Sequence, residues 1–194
     1  MYAYLQGIFT HKTPARIILE THGVGYDVQV SLHTFSAIQS LTEGRLYTYL
    51  QVKEDAHVLF GFATPQEKDI FLQLISVSGV GASTARMMLS SVKPDDIVRA
   101  IQTGDHRSLE RVKGIGKKTA ERLVLELRDK MGTISGPVPP GTVQPVSIEK
   151  DALDALVSLG ISKNMAEQAI QKVIQAESDS VVLEDLIKKA LKAI

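Results

Sequence analysis

Cysteine and tryptophan are absent from this chain of 194 residues, and aromatic residues make up only 5% of it. Without cysteine the protein can form no disulfide, no thiolate zinc site and no cysteine-ligated iron–sulfur cluster. Its five histidines do not show the spacing of metal ligands, and the G-x-x-x-x-G-K-[S/T] pattern of phosphate-binding loops is missing. We therefore expect no metal site, no cofactor and no intrinsic ATPase activity.

Long apolar runs are missing as well. No stretch reaches the roughly 18 apolar residues of a membrane span, and the first residues lack the pattern of a secretion signal. These features predict a soluble, cytoplasmic protein with no membrane partner. Basic and acidic residues number 22 each, which argues against an overall basic surface for nucleic acid but allows a local basic patch.

The segment 131–147 divides the chain. It has no charged residue and holds four of the seven prolines. Such a segment cannot bury enough apolar surface to offset the entropy of ordering it, and its prolines interrupt helices and central strands. We interpret it as a flexible linker that precedes a separate domain, residues 148–194.

Residues 1–63 have strand-like patterns, and the later regions have helical ones. All five tyrosines and four of the five phenylalanines lie before residue 63, and about five short strands fit a small OB-fold-like β-barrel. In residues 64–130, Thr64 to Glu67 predicts a helix start with a capping box, and further helical patterns cover 82–90, 94–101 and 117–130. Residues 148–194 show three more amphipathic patterns, which predict a three-helix, UBA-like domain.

An internal repeat lies in the middle region. Residues 77–85 and 112–120 both fit the pattern V-x-G-[V/I]-G-x-x-T-A. Two glycines around one aliphatic residue allow a tight reversal that ends in unpaired amides at a helix N-terminus, where a phosphate oxygen is favoured. The candidate phosphate-binding residues are Gly79, Gly81, Ser83, Gly114, Gly116, Lys117, Lys118, Thr119 and Arg122.

The charge distribution favours the phosphate interpretation. Residues 63–130 hold twelve basic and nine acidic residues, and they form the only positive region of the chain. Since none of these contacts needs to reach a base edge, binding should be independent of sequence and sensitive to salt. Glycine turns also join packed helices, and basic runs are commonly solvated helix faces, so the structural interpretation stays open for each feature taken alone.

These residues carry a resemblance to a known family. The paired motifs resemble tandem helix-hairpin-helix elements, and the whole chain resembles the RuvA family, the Holliday-junction-binding subunits of bacterial branch-migration complexes. The most specific segments are 114–123, 23–26, 54–56 and 59–62. The fold expected is α+β multidomain: an N-terminal OB-fold-like β-barrel (1–63), a central all-α tandem helix-hairpin-helix domain (64–130), a flexible linker (131–147) and a C-terminal three-helix domain (148–194).

The resemblance implies a non-catalytic DNA adaptor. In the family four subunits form a plate that holds a four-way junction open, and Glu54 and Asp55 match a central acidic pin that repels phosphates. The tail matches a domain that docks on the RuvB motor ATPase, with Leu156, Leu159 and Ile161 as candidate docking residues. The partners implied are four-way junction DNA, the motor, a RuvC-type resolvase and further copies of the chain as a homotetramer, one or two of which clasp the junction.

Several features leave room for other interpretations. Ser83 follows an alanine where the family typically has a Pro-Lys pair, and Ile161 stands where an aromatic residue is expected. Leucines at helical spacing usually belong to a domain's own core, and Glu54-Asp55 is otherwise an ordinary acidic turn. The alternatives are a DNA glycosylase or nuclease, which needs a catalytic pocket, and a non-specific duplex-binding scaffold that tethers another partner.

Overall fold

The computed structural model describes residues 2–131, 148–176 and 182–193. It forms two compact units, residues 1–137 and 138–194. Apart from Met131, the predicted linker lies outside the described residues. In the described part of the chain, no helix has both the length and the apolar composition needed to cross a membrane.

The first unit begins with a closed barrel of five strands in the order β1-β2-β3-β5-β4. β3 and β5 pair in parallel, and the other pairs are antiparallel. In β2, Ile17 and Leu19 are fully buried while Arg16 is exposed, because successive side chains point to opposite faces. The predicted OB-fold-like barrel is confirmed. Its strands are β1 (Tyr4–Thr13), β2 (Arg16–Thr21), β3 (Val24–Val30), β4 (Glu43–Val52) and β5 (His57–Phe62).

A short helix, α1 (Leu32–Ile38), joins β3 to β4. The Ser31 hydroxyl caps it by accepting a hydrogen bond from the Thr34 N–H at 2.9 Å. The periodicity of the sequence does not predict α1, because a helix of seven residues makes only about two turns.

The rest of the first unit is helical where the structure describes it. The predicted helices at 82–90, 94–101 and 117–130 are confirmed to within two residues. A five-residue helix between them is too short to show a period, and its start is marked by Asp105, which accepts a hydrogen bond from the Ser108 N–H. The helices are α2 (Pro65–Ile75), α3 (Ala82–Ser91), α4 (Pro94–Thr103), α5 (His106–Glu110) and α6 (Lys117–Met131).

An aromatic cluster joins the barrel to the helices. The ring of Phe71 in α2 lies 5.3 Å from that of Phe60 and 4.8 Å from that of Phe62, both in β5. Tyr49 of β4 lies 5.5 Å from the same ring. Strand β5 therefore contributes to the core of the helical region as well as to the barrel.

The capping box predicted at the start of α2 is only half present. Thr64 caps the helix as expected, since its hydroxyl accepts a hydrogen bond from the Glu67 N–H at 3.1 Å. The Glu67 carboxylate, however, does not return to Thr64. It is fully buried and accepts hydrogen bonds from Ser31, Thr34 and the Ala63 N–H instead. These partners come from α1 and from the end of the barrel, which a local sequence pattern cannot reveal.

The second unit contains three helices in its described residues, as predicted: α7 (Ile148–Ser158), α8 (Lys163–Ala176) and α9 (Leu183–Lys192). Small and aliphatic side chains from all three form its core, with Ala152, Leu156 and Leu186 almost completely buried. Helix α7 ends at Ser158, and the turn that follows contains Gly160, whose φ of +92° suits glycine. There the Gly160 N–H donates to the Val157 carbonyl and the Ile161 N–H to the Leu156 carbonyl.

Candidate nucleic-acid interface

The two copies of the glycine motif form hairpins with matching geometry. Hairpin one consists of α2, the turn 76–81 and α3, and hairpin two consists of α5, the turn 111–116 and α6. The Val80 N–H donates to the Val77 carbonyl at 3.0 Å, and the Ile115 N–H donates to the Val112 carbonyl at 3.0 Å. Val80 and Ile115 are each only 5% exposed, so the aliphatic residue between the glycines anchors each turn in the core.

The two glycines of each turn have different structural roles. Gly79 and Gly114 both have a φ of +94°, where any other residue is strained. Gly81 and Gly116 do not adopt a positive φ, and a methyl group at either position would meet no atom within 4 Å. The first glycine therefore makes the turn, and the second leaves the backbone open to close approach.

Each turn delivers free amides at the start of a helix. In α3 the first helical hydrogen bond runs from the Ala85 N–H to the Gly81 carbonyl at 2.9 Å, and Gly81 supplies no side-chain cap. In α6 the matching bond runs from the Ala120 N–H to the Gly116 carbonyl at 2.9 Å. The preceding N–H groups have no carbonyl partner within the helix and lie at the positive end of its dipole. The free amides of both turns can thus donate hydrogen bonds to a phosphate oxygen.

Equivalent residues of the two hairpins face each other. A methyl group at Gly79 would lie 3.8 Å from Thr119 Oγ1, and one at Gly114 would lie 3.9 Å from Thr84 Cγ2. Thr84 and Thr119 occupy the same position in the repeat. These reciprocal positions indicate an approximate two-fold relation between the hairpins. The candidate residues include Thr119 but omit Thr84, although the repeat pairs them.

Positive charge is concentrated on hairpin two. Lys113, Lys117 and Lys118 are all exposed there. At the matching places of hairpin one, Ala82 is buried and Ser83 is exposed but uncharged. Lys113 is a further candidate phosphate contact that the motif itself does not single out, because it lies at the variable position before Gly114.

Arg122 connects the two hairpins. Its guanidinium lies 3.4 Å from the Glu126 carboxylate one helical turn along α6. It also donates a hydrogen bond of 3.4 Å to the carbonyl of Ser78, which belongs to the turn of hairpin one. Arg122 therefore links α6 of hairpin two to the turn of hairpin one. These contacts engage only part of its guanidinium, which has five N–H donors in total.

Glu54 and Asp55 lie at the tip of the β4–β5 hairpin. Both are exposed in the turn between Val52 and His57, and the Lys53 N–H donates to the Ala56 carbonyl at 2.8 Å to close it. Two carboxylates at the end of a paired two-stranded arm create a local negative potential that repels phosphates. Strand β5 leads directly from this tip to α2, the first helix of hairpin one.

Models of known protein families match almost the whole chain. Models of the RuvA N-terminal domain and the RuvA C-terminal domain match residues 1–61 and 147–194. A model of the SAM-like helix-hairpin-helix tandem matches residues 71–129. The chain belongs to the RuvA family. The resemblance carried by the repeat and the acidic turn is thereby confirmed.

Relatives in the RuvA family cover the full chain. The Holliday junction branch migration complex subunit RuvA of Cytophaga hutchinsonii is 44% identical over 197 residues, with 99% of each chain covered. The protein of the same name from Christiangramia forsetii is 43% identical over 194 residues, with 100% of each chain covered. That from Bacteroides thetaiotaomicron is 40% identical over 202 residues, again with 100% of each covered.

The three candidate docking residues in the C-terminal unit of this RuvA-family chain differ in exposure. Leu156 is fully buried in the core formed by α7, α8 and α9, so it presents no surface to a partner. Leu159 is 65% exposed, and Ile161 is partly buried against the same core. The exposed Val157 lies beside them on α7. The family resemblance names Leu156, Leu159 and Ile161, but only the packing of the three helices decides which of them face outward.

Proposed function

We propose that this RuvA-family chain binds four-way DNA junctions through their phosphate backbones, holds them open and recruits a RuvB-type motor ATPase for branch migration in recombination and repair. The observation that carries the proposal is the pair of equivalent hairpins with open glycine turns, in which Thr119 faces Gly79 and Thr84 faces Gly114. Their spacing is set by the packing of the protein, so they can grip two phosphates at a defined separation. The relatives named as Holliday junction branch migration complex subunits support the same function.

The contacts proposed are made to phosphates and not to bases. Backbone amides at the two turns supply the donors, and Lys117 and Lys118 add charge in hairpin two. Ser83 supplies a hydroxyl in hairpin one, where the charge is absent. Binding of this kind is independent of sequence, and its affinity falls as the salt concentration rises.

Selectivity for a four-armed substrate is proposed to come from assembly. Four copies of the chain would present eight turns to the four arms, with Glu54 and Asp55 of each copy near the crossover. Carboxylates there keep the phosphates of the exchanging strands apart by like-charge repulsion. One or two such tetramers would clasp a junction, and a RuvC-type resolvase would act on the same substrate.

The C-terminal unit is proposed to dock on the motor, and hydrolysis of ATP belongs to that partner. We assign the contact to Leu159 and Ile161, since Leu159 is 65% exposed and Leu156 is buried. Replacing Leu159 by aspartate should abolish motor binding, measured by co-sedimentation, without changing the circular dichroism of the protein. Normal motor binding by this variant would remove Leu159 from the docking surface.

The experiment that tests the function compares a synthetic four-way junction with a linear duplex of the same length, at two salt concentrations, with the mass of the assembly recorded. Strong preference for the junction, weaker binding at high salt and a tetrameric mass are expected. Equal binding to both substrates by a monomer would instead support a non-specific duplex-binding scaffold. Hydrolysis of either DNA by the isolated protein would support an enzyme.

A further inference from the structure

The corner between the barrel and the hairpins, Ala63-Thr64, contains a buried charge that DNA binding does not use. Glu67 lies in the first turn of α2 and is 0% exposed. Its carboxylate accepts hydrogen bonds from Ser31 Oγ at 2.5 Å, from Thr34 Oγ1 at 2.7 Å and from the Ala63 N–H at 3.2 Å. Hydrogen bonds are directional, so three of them to one buried carboxylate fix the orientation of α2. A rotation of the helix would lengthen or break charge-assisted hydrogen bonds in a region of low dielectric constant.

All three donors lie on the barrel side of the corner, whereas Glu67 lies on the helical side. Ser31 caps α1 and Thr34 lies in its first turn, between the barrel strands β3 and β4, and Ala63 follows the last residue of β5. Other hydrogen bonds that link the barrel to the helices are exposed, such as the one from Arg86 to the Ala15 carbonyl. The aromatic contacts around Phe71 hold the two parts together, but apolar contacts are not directional.

This corner connects the phosphate-binding turns to the acidic tip, which is the pair Glu54 and Asp55 at the end of the β4–β5 hairpin. Strand β5 starts two residues after Asp55, and α2 ends at Ile75, just before the turn of hairpin one. Helix α2 has 11 residues and is about 16 Å long, so a swing of roughly 10° at the corner moves its far end by about 3 Å. Binding sites tolerate displacements of only about 0.5 Å. A small error at the corner would therefore misplace the hairpin relative to the tip.

We propose that Glu67 is a positioning residue that sets the angle between the acidic tip and the hairpins, and that it thereby determines selectivity for a four-way junction. This inference rests on the proposed function. A linear duplex needs the hairpins alone, whereas a junction needs the hairpins and the tip in the correct relative place. Loosening the corner should therefore weaken junction binding much more than duplex binding.

Thr34 offers the sharpest test, because its hydroxyl can be removed without changing the size of the side chain. The full chain carrying Thr34→Val loses one of the three donors to Glu67, and Thr34→Ser keeps it. Glu67→Gln changes the acceptor itself. Ile17→Val serves as the control, since Ile17 is fully buried in the barrel core and supplies none of the hydrogen bonds to Glu67. Its melting temperature identifies any effect that comes from stability alone.

The Kd of each protein is measured for a four-way junction and for a linear duplex under the same buffer conditions. For Thr34→Val and Glu67→Gln we expect junction binding to weaken roughly five- to tenfold, as when a charge-assisted contact is misaligned, and duplex binding to change by less than about twofold. Thr34→Ser should match the wild type, and Ile17→Val should keep the wild-type preference. If Glu67→Gln does not fold, the two Thr34 variants decide the question.

Equal loss of affinity for both DNAs would overturn the proposal, and so would full junction preference in Thr34→Val. Loss of preference in Ile17→Val would show that general destabilisation explains the effect, which also overturns it. A wild-type protein without junction preference would overturn the proposed function and this inference together. A wild type with that preference and corner variants that retain it would overturn the inference alone.

Discussion

The two glycines of a turn have different roles, since the first adopts a positive φ and the second leaves the backbone open to a phosphate. Substituting each in turn should therefore affect stability and DNA binding separately. Gly116→Ala places a methyl group where no protein atom lies within 4 Å, at a residue without a positive φ. Gly114→Ala places one at a φ of +94°. The two substitutions add the same atoms two residues apart, so each is the control for the other.

The magnitudes follow from these conformations. Alanine at Gly114 forces an L residue into the left-handed region and should lower the free energy of unfolding by about 1–2 kcal/mol. Alanine at Gly116 adopts an unstrained backbone conformation. It should leave the free energy of unfolding unchanged or raise it by about 0.4–1 kcal/mol, because the unfolded chain loses conformational freedom. The Gly116 methyl group would nevertheless stand where a phosphate approaches the backbone. Loss of one amide contact to a charged group costs about 1.5–3 kcal/mol, or roughly ten- to a hundredfold in Kd.

The assay pairs thermal unfolding of each variant with its Kd for a four-way junction at low and moderate salt. We expect Gly116→Ala to fold normally and bind weakly. Gly114→Ala should melt earlier and, at a temperature where it is folded, bind better than Gly116→Ala. If Gly116→Ala binds the junction as tightly as the wild type, the backbone of this turn does not contact phosphate and the argument from open glycines is refuted.

Two further predictions concern charge. Replacing Lys117 and Lys118 together by alanine should reduce the slope of log K against log salt concentration by roughly 2 and weaken junction binding more than Ser83→Ala does; a larger effect of Ser83→Ala would reverse the ranking of the hairpins. Hydrogen bonds from the Ser108 hydroxyl and N–H hold the pKa of Asp105 below its ordinary value, so the folded state favours the ionised carboxylate. That stabilisation is present above the unfolded pKa of about 3.9 and is lost as the pH falls through the lower folded pKa. The melting temperature of Asp105→Asn should therefore fall less than that of the wild type between about pH 6 and pH 3, and parallel curves would contradict the assignment.

Much of the fold follows from local patterns. The alternation around Ile17 and Leu19 predicts a barrel strand, and Thr64 followed by Pro65 predicts the start of α2 to the residue. Helix α1 and the five-residue α5 escape prediction because neither is long enough to show a period. The cap residues Ser31 and Asp105 are the only local signals of these two helices.

The candidate site follows from the sequence to a similar extent. The repeat identifies both turns, and the positive φ of Gly79 and Gly114 is the conformation that its glycines predict. The repeat does not show that Thr119 faces Gly79 and Thr84 faces Gly114, because these pairs are 40 and 30 residues apart in sequence. The family resemblance likewise selects Leu156 and Leu159 without indicating that the first is buried and the second exposed.

The sequence by itself determined the order of barrel and helices, the two glycine turns, the uneven charge of the hairpins and the family resemblance. All of these depend on short-range requirements: backbone conformation, periodicity and the chemistry of neighbouring residues. Only the tertiary structure decided that Glu67 turns away from its own helix cap toward Ser31 and Thr34. The reason is that water supplies hydrogen bonds to an exposed carboxylate at any position. A buried carboxylate instead needs protein donors, and the packing of elements distant in sequence decides which donors lie close to it.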